Sequence, residues 1–221
     1  MLGLKTIYHG STEIIKKPLR EKGKLYNDYG QGFYCTENID LAREWACTED
    51  NDGYANQYLL DMNDLNVLDL SSNEYSILHW LAMLMKYRVV RFSTPIMKRS
   101  SQWLLQHYLP DISGADVIIG YRADDSYFSF ARAFVNNEIT LDQLSYAMKL
   151  GNLGEQIVLK SDKAFERIQF QEAHFVDKRE YYIKRVTRDA EARTAYLKEL
   201  EQEDIEGTYI RDLMRVGGAP L

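Results

Sequence analysis

The chain has 221 residues, 45% of them hydrophobic and 27% charged, an ordinary globular balance with length enough for one generous core. Its formal net charge of −6 argues against passive coating of nucleic acid, though not against a local basic groove. Cys35 and Cys47 form neither a disulfide framework nor a C-x-x-C metal spacing, and no apolar run approaches membrane length. The opening MLGLKTIYHG lacks the apolar core of a secretion signal, so a cytoplasmic protein without membrane contact is expected.

Residues 4–8 (LKTIY) read as a first strand, ended at Gly10. Residues 16–32 carry many charges, Pro18 and three glycines, and read as a loop. GFYCT (32–36) is a short buried strand, after which Asn38 or Asp40 caps a helix through LAREWA. NQYLLDM (56–62) and NVLDL (66–70) are further strands. Ile77, Leu81, Leu84 and Met85 fall at helical spacing, and a second helix follows Pro95 through Tyr108 until Pro110.

DVIIGY (116–121) is an apolar strand stopped at glycine, and RADDSYFSFARAFVNN reads as a helix with the acidic pair Asp124 and Asp125 at its start. Thr140 caps another helix over 140–150, closed by Gly151. EQIVLKSD (155–162) and RIQFQEAHFV (167–176) are two strands joined by a turn around Lys163. From 177 the chain is helical and highly charged. A basic half, Lys178 to Arg193, precedes an acidic half that includes Glu199, Glu201, Glu203 and Asp204. The expected fold is α+β: a catalytic domain over 1–176 with a helical insertion at about 73–110, then a charged helical tail over 177–221.

Candidate chemistry gathers around two stretches. His9 beside Gly10 can offer ring and bare backbone to one ligand. Gly30 and Gly32 flank Gln31, Tyr34 follows on a strand, and Trp45 lies eleven residues later on a helix. Two aromatic faces converging there would sandwich a flat heteroaromatic ring, each contributing on the order of 1 kcal/mol. His79, His107 and His174 lack metal spacing, and no metal site is expected.

YHGS (8–11), GQGFYCTENIDLAREW (30–45) and EQIVLKSDKAFERI (155–168), in that order, resemble the three-part signature of histidine-tyrosine-glutamate ADP-ribosyltransferases, the polymerase and diphtheria-toxin-like type. A bacterial family of that superfamily with Y-H-G-S, D-[YF]-G-x-G-F-Y and G-x-x-A-D-D motifs is closer still. Here the last two motifs read Asp28-Tyr29-Gly30-Gln31-Gly32-Phe33-Tyr34 and Gly120-Tyr121-Arg122-Ala123-Asp124-Asp125. The resemblance implies split antiparallel sheets and NAD as substrate, bound by His9, Gly10, Ser11, Gly32, Tyr34 and Trp45. His9 would hold the nicotinamide-side ribose, Gly10 backbone the carboxamide, and Tyr34 and Trp45 the nicotinamide ring. Ala42 replaces the serine that holds the carboxamide in the polymerases.

His9, Tyr34 and Glu155 would form the catalytic set. Glu155 would hold the ribose 2′-hydroxyl and stabilise positive charge as nicotinamide leaves. In the bacterial relatives the more regular residue is the amide at Gln156. Strand alternation lets only one of Glu155 and Gln156 face the pocket, with Gln156 as the alternative.

The implied activity is transfer of ADP-ribose to a macromolecular acceptor, protein or nucleic acid, without a metal. A bacterial toxin or defence effector with a small neutralising partner protein fits that activity. NAD hydrolysis and a non-catalytic binding module of the same fold are the alternatives. For a nucleic-acid acceptor, the run from Lys178 to Arg193 would meet the phosphates.

Overall fold

A computed structural model describes residues 3–123, 125–150, 154–202, 204 and 206–217. Asp124, Gly151 and Glu203 lie outside the described residues, as does the side chain of Asp125. The protein is α+β. It divides into two compact units, the first of 1–72, 111–122 and 153–187, the second of 73–110, 123–152 and 188–221.

The first unit holds both sheets. Strands β1 (Leu4–Ser11), β3 (Gly53–Asp61) and β7 (Ile168–Val176) form an antiparallel sheet in the order β1-β3-β7. Strands β2 (Phe33–Cys35), β4 (Val67–Asp69), β5 (Val117–Tyr121) and β6 (Glu155–Leu159) form the other, in the order β2-β6-β5-β4. Only the β4–β5 pairing in it is parallel.

Alternation decides what each strand buries. Ile7 of β1, Tyr58 and Leu60 of β3, Phe33 and Cys35 of β2, and Ile157 and Leu159 of β6 share one core cluster. Fully burying such an aliphatic or aromatic side chain stabilises by about 1.5–3 kcal/mol each. The Cys35 thiol in that cluster is pushed well up by burial, which makes it an apolar filler.

Residues of opposite parity on β1 and β3 face helix α1 (Ile39–Ala46) instead: Tyr8, Ala42, Ala46, Cys47 and Ala55 make a second cluster. Asn38 starts α1 by accepting from the Asp40 and Leu41 N–H groups at 2.9 and 3.3 Å. The chain around Lys163, expected as a turn, is a short helix, α6 (Asp162–Glu166). Ser161 accepts from the Ala164 N–H, satisfying a first-turn donor and converting the turn to helix.

The second unit is helical. Helices α2 (Ile77–Tyr87), α3 (Pro95–His107), α4 (Asp125–Val135), α5 (Leu141–Leu150) and α8 (Ile210–Val216) bury Trp80, Leu81, Leu84, Met97, Leu104, Phe130, Phe134 and Leu144. Pro95 takes the first helical position behind Thr94, whose hydroxyl accepts from the Met97 N–H. The block at 73–110 thus shares its unit with 123–152 and 188–221. The boundary expected at 176 falls inside the first unit, and α7 (Lys178–Leu200) begins in the first unit and ends in the second. Among the described residues, no helix is long and apolar enough to cross a membrane.

Candidate functional site

The three motif stretches occupy strands that are successive neighbours. Tyr8 and Thr36 exchange backbone hydrogen bonds of 2.8 and 3.0 Å, joining β1 to the end of β2. Strand β2 in turn pairs β6 antiparallel, with Tyr34 opposite Val158.

His9 follows Tyr8 and points to the other face, toward the core. Its ring stacks on Phe33, with centroids 4.3 Å apart and planes at 29°, and its Nδ1 lies 2.7 Å from the Tyr34 carbonyl oxygen. A carbonyl only accepts, so Nδ1 carries the proton and Nε2 is left as an acceptor. Burial lowers the His9 pKa below the ordinary histidine value and the Tyr34 bond partly opposes that, so the site favours the neutral ring.

This neutral ring has a measurable consequence. Below 6.5 the unfolded chain binds a proton that the folded one resists, so stability falls as pH drops from 6.5 through the folded value. His9→Gln is expected to lose less of its urea midpoint than the parent between pH 7.5 and 5; an identical loss would contradict the assignment.

Gly10 faces α1. A Cβ there would stand 2.1 Å from the Ala42 carbonyl oxygen, 2.7 Å from the Ala46 nitrogen and 2.9 Å from Trp45 Cβ. Helix α1 therefore lies directly on bare backbone, which also explains the small Ala42 at full burial. Tyr8 bonds Thr36 on the side away from β3, and strand alternation turns the N–H and C=O of Gly10 the same way. Gly10→Ala is expected to lift α1 and to cost about 3 kcal/mol in urea unfolding, because backbone atoms have no rotamer with which to yield. An unchanged midpoint would refute the close approach.

The D-Y-G-Q-G-F-Y stretch is a braced loop. Gly30 takes φ 73°, the left-handed region that favours glycine. The Tyr34 hydroxyl donates to the Gly30 carbonyl at 2.6 Å and accepts from the Tyr29 N–H at 3.0 Å. Tyr29 is fully buried and donates to the Tyr121 carbonyl at 2.6 Å. The Lys160 ammonium donates to the Tyr29 carbonyl at 2.6 Å and to that of Gln31. Burial, with a smaller push from Arg20, lowers the Lys160 pKa to about 8.

Gln156 donates from Nε2 to the Asp28 carboxylate at 2.8 Å, both residues being buried. The amide therefore ties β6 to the loop. Glu155, one residue earlier, is exposed and lies opposite Tyr121 across the β5–β6 ladder, and its carboxylate makes no hydrogen bond or ion pair among the described residues. Alternation puts Glu155 on the face of Ile157 and Cys35, the side on which His9 stacks, and Gln156 on the face of Tyr34.

Trp45 carries the Arg122 guanidinium 3.8 Å from its ring centre. Its indole N–H is buried and meets no acceptor among the described residues. A buried donor left in this way is commonly satisfied by a ligand or water. The structure thus brings His9, Phe33 and Tyr34 together, and Gly10, Trp45 and Arg122 together. One face of the Trp45 ring is thus held by a cation. Ser11 ends β1, its hydroxyl accepting from the Glu13 N–H at 3.2 Å.

His9, Gly32, Phe33 and Tyr34 line a cleft of about 600 Å³ whose other wall is the chain from Glu13 to Asn27. Lys16, Lys17, Lys22 and Lys24 stand on that wall. These lysines and the Asp28–Gln156 pair join the site only in the folded structure. A cationic run in a chain of charge −6 is the signal for the first; the second has none, since its partners lie 128 positions apart.

His79 and His107 have local partners, the Ser76 N–H and the Trp103 carbonyl, and His174 meets the Gln57 side chain across the sheet. Among the described residues, no group of three His, Cys, Asp or Glu side chains is placed to hold a metal.

An α+β unit with two small sheets and a cleft at their junction defines the class. The chain belongs to the family described as protein of unknown function (DUF3990), whose model matches residues 5–170. No curated protein and no solved structure matches it.

Proposed function

We propose that the chain transfers ADP-ribose from NAD to a macromolecular acceptor and releases nicotinamide. The observation that carries this reading is the meeting of the motif stretches on neighbouring strands, with His9 Nδ1 donating to the Tyr34 carbonyl at 2.7 Å. That bond leaves Nε2 as an acceptor suited to a ribose hydroxyl. The outward-turned N–H and C=O of Gly10 suit a carboxamide, which needs one donor and one acceptor. The buried indole N–H of Trp45 adds a donor in want of a partner. A cleft of about 600 Å³ lies in the range of small-molecule and cofactor sites.

In the reaction the bond from ribose C1′ to the nicotinamide nitrogen breaks, and its electron pair leaves with nicotinamide. A nucleophilic oxygen or nitrogen of the acceptor bonds to C1′ and loses its proton to solvent. Positive charge grows on the ribose, and the Glu155 carboxylate stabilises it. This chemistry asks nothing of a metal.

NAD labelled in its adenylate half, incubated with the protein and a cell lysate, tests the reading. Label carried into macromolecules and released by nuclease or by protease supports transfer and names the acceptor class. Label found wholly as free ADP-ribose would make the protein a hydrolase. A second reading, a non-catalytic binding module, draws on Arg122 holding the Trp45 face; intact NAD after incubation would favour it.

A further inference from the structure

Four ammonium groups stand on the cleft wall, where Glu13 is the acid beside them. Lys16, Lys17, Lys22 and Lys24 are exposed, and their ammonium groups make no ion pair or hydrogen bond among the described residues. Scarcity of acids does not explain this, since the chain has 33 Asp and Glu against 27 Lys and Arg. Neighbouring cations do find partners. Arg20, within the same run, lies 3.6 Å from an Asp162 carboxylate oxygen. On α7, Lys184 pairs Glu180 at 2.7 Å and sits over the Tyr181 ring, while Lys178 donates to the Asp50 carbonyl at 2.6 Å. Lys178 and Lys184 of the tail run are thus engaged, while the four loop lysines line the cleft.

Two further observations set the size and kind of anion that suits them. Lys16 and Lys17 also line a second hollow of about 320 Å³, but Glu21, Asp162 and Glu166 join them and Arg20 there, so the excess of positive charge stays with the cleft. Four ammonium groups on one cleft exceed what the two phosphates of a dinucleotide require. Tyr26 then lies 67% exposed between Lys24 and Asn27, both of which line the cleft. Interleaved cations and an exposed aromatic ring are what unpaired nucleotides use, phosphates on the cations and a base on the ring. A duplex hides its base faces and would leave Tyr26 unused.

We infer that the acceptor is a single-stranded nucleic acid, held along the cleft by Lys16, Lys17, Lys22 and Lys24 with Tyr26 as a stacking platform. This rests on the transfer reading, but binding is measured without NAD.

The test uses the full chain and a fluorescein-labelled 20-nucleotide single strand of mixed sequence, as DNA and as RNA, followed by anisotropy across a salt series. With four phosphate contacts, the slope of log affinity against log salt is expected to be about −3. Replacing all four lysines with glutamine is expected to weaken binding at least about tenfold and to take the slope toward zero. Tyr26→Ala is expected to weaken it at least about fivefold with the slope unchanged. Lys184→Gln should match the parent.

Equal affinity of the four-glutamine variant and the parent would overturn the inference. So would displacement of the strand by polyglutamate of equal charge, which would mark an acidic protein as occupant. A fall in calorimetric NAD affinity with strand binding intact would assign the lysines to the dinucleotide and overturn it too. Strand binding in a protein that never consumes NAD would end the acceptor claim through failure of the transfer reading, leaving the lysine surface a binding site.

Discussion

Glu155→Gln is expected to leave NAD affinity within about twofold of the parent while slowing nicotinamide release at least about a hundredfold, the range for loss of one electrostatic stabiliser. Glu155 is exposed and its carboxylate has no partner among the described residues, so its removal breaks nothing that holds the fold. An interaction made mainly in the transition state appears in the rate and not in ground-state affinity. Stopped turnover with an unchanged urea midpoint identifies a reacting group. A rate loss no larger than the stability loss, or no rate loss, would remove Glu155 from the chemistry.

Gln156→Leu is the complementary case. Its amide is buried and donates to a buried carboxylate, and leucine of similar volume takes that donor away from Asp28. Loss of a hydrogen bond to a buried charge costs about 2–3 kcal/mol, so the urea midpoint should fall accordingly. The loop from Asp28 to Tyr34 should loosen, and NAD affinity should fall with it. Gln156→Glu replaces the donor that faces Asp28 with a carboxylate and is expected to destabilise at least as much at pH 7. Full stability in Gln156→Leu would show that the amide does not brace the loop. Complete loss of turnover with stability and affinity intact would move the catalytic role from Glu155 to Gln156.

Local chemistry is legible in this sequence because its cause lies within a few residues. The Asn38 cap, the Thr94–Pro95 helix start and the alternation of β6 all follow from neighbours. Ser161 carries the same kind of signal, but the two strong strands on either side of Lys163 favour a turn in local pattern.

Sheet order depends instead on pairings between distant stretches. Nothing near β5 announces that it lies between β6 and β4, parallel to one and antiparallel to the other. The gathering of 73–110 with 123–152 and 188–221 is likewise a product of apolar faces that local pattern does not match to one another.

The candidate site divides along the same line. His9, Gly10, Tyr34 and Trp45 are legible as a set, but the sequence is silent on what each one touches. Gly10 is required by the approach of α1, Tyr34 braces its own loop, and Trp45 holds Arg122. Long-range partners of this kind are set by packing.

Nicotinamide release tests the central claim most directly. Purified parent protein and Glu155→Gln are each incubated with NAD and a cell lysate, and nicotinamide is quantified by chromatography over time. The transfer reading predicts one nicotinamide for every NAD consumed by the parent, with the variant at least about a hundredfold slower. Intact NAD recovered from the parent, or equal rates from parent and variant, would contradict it.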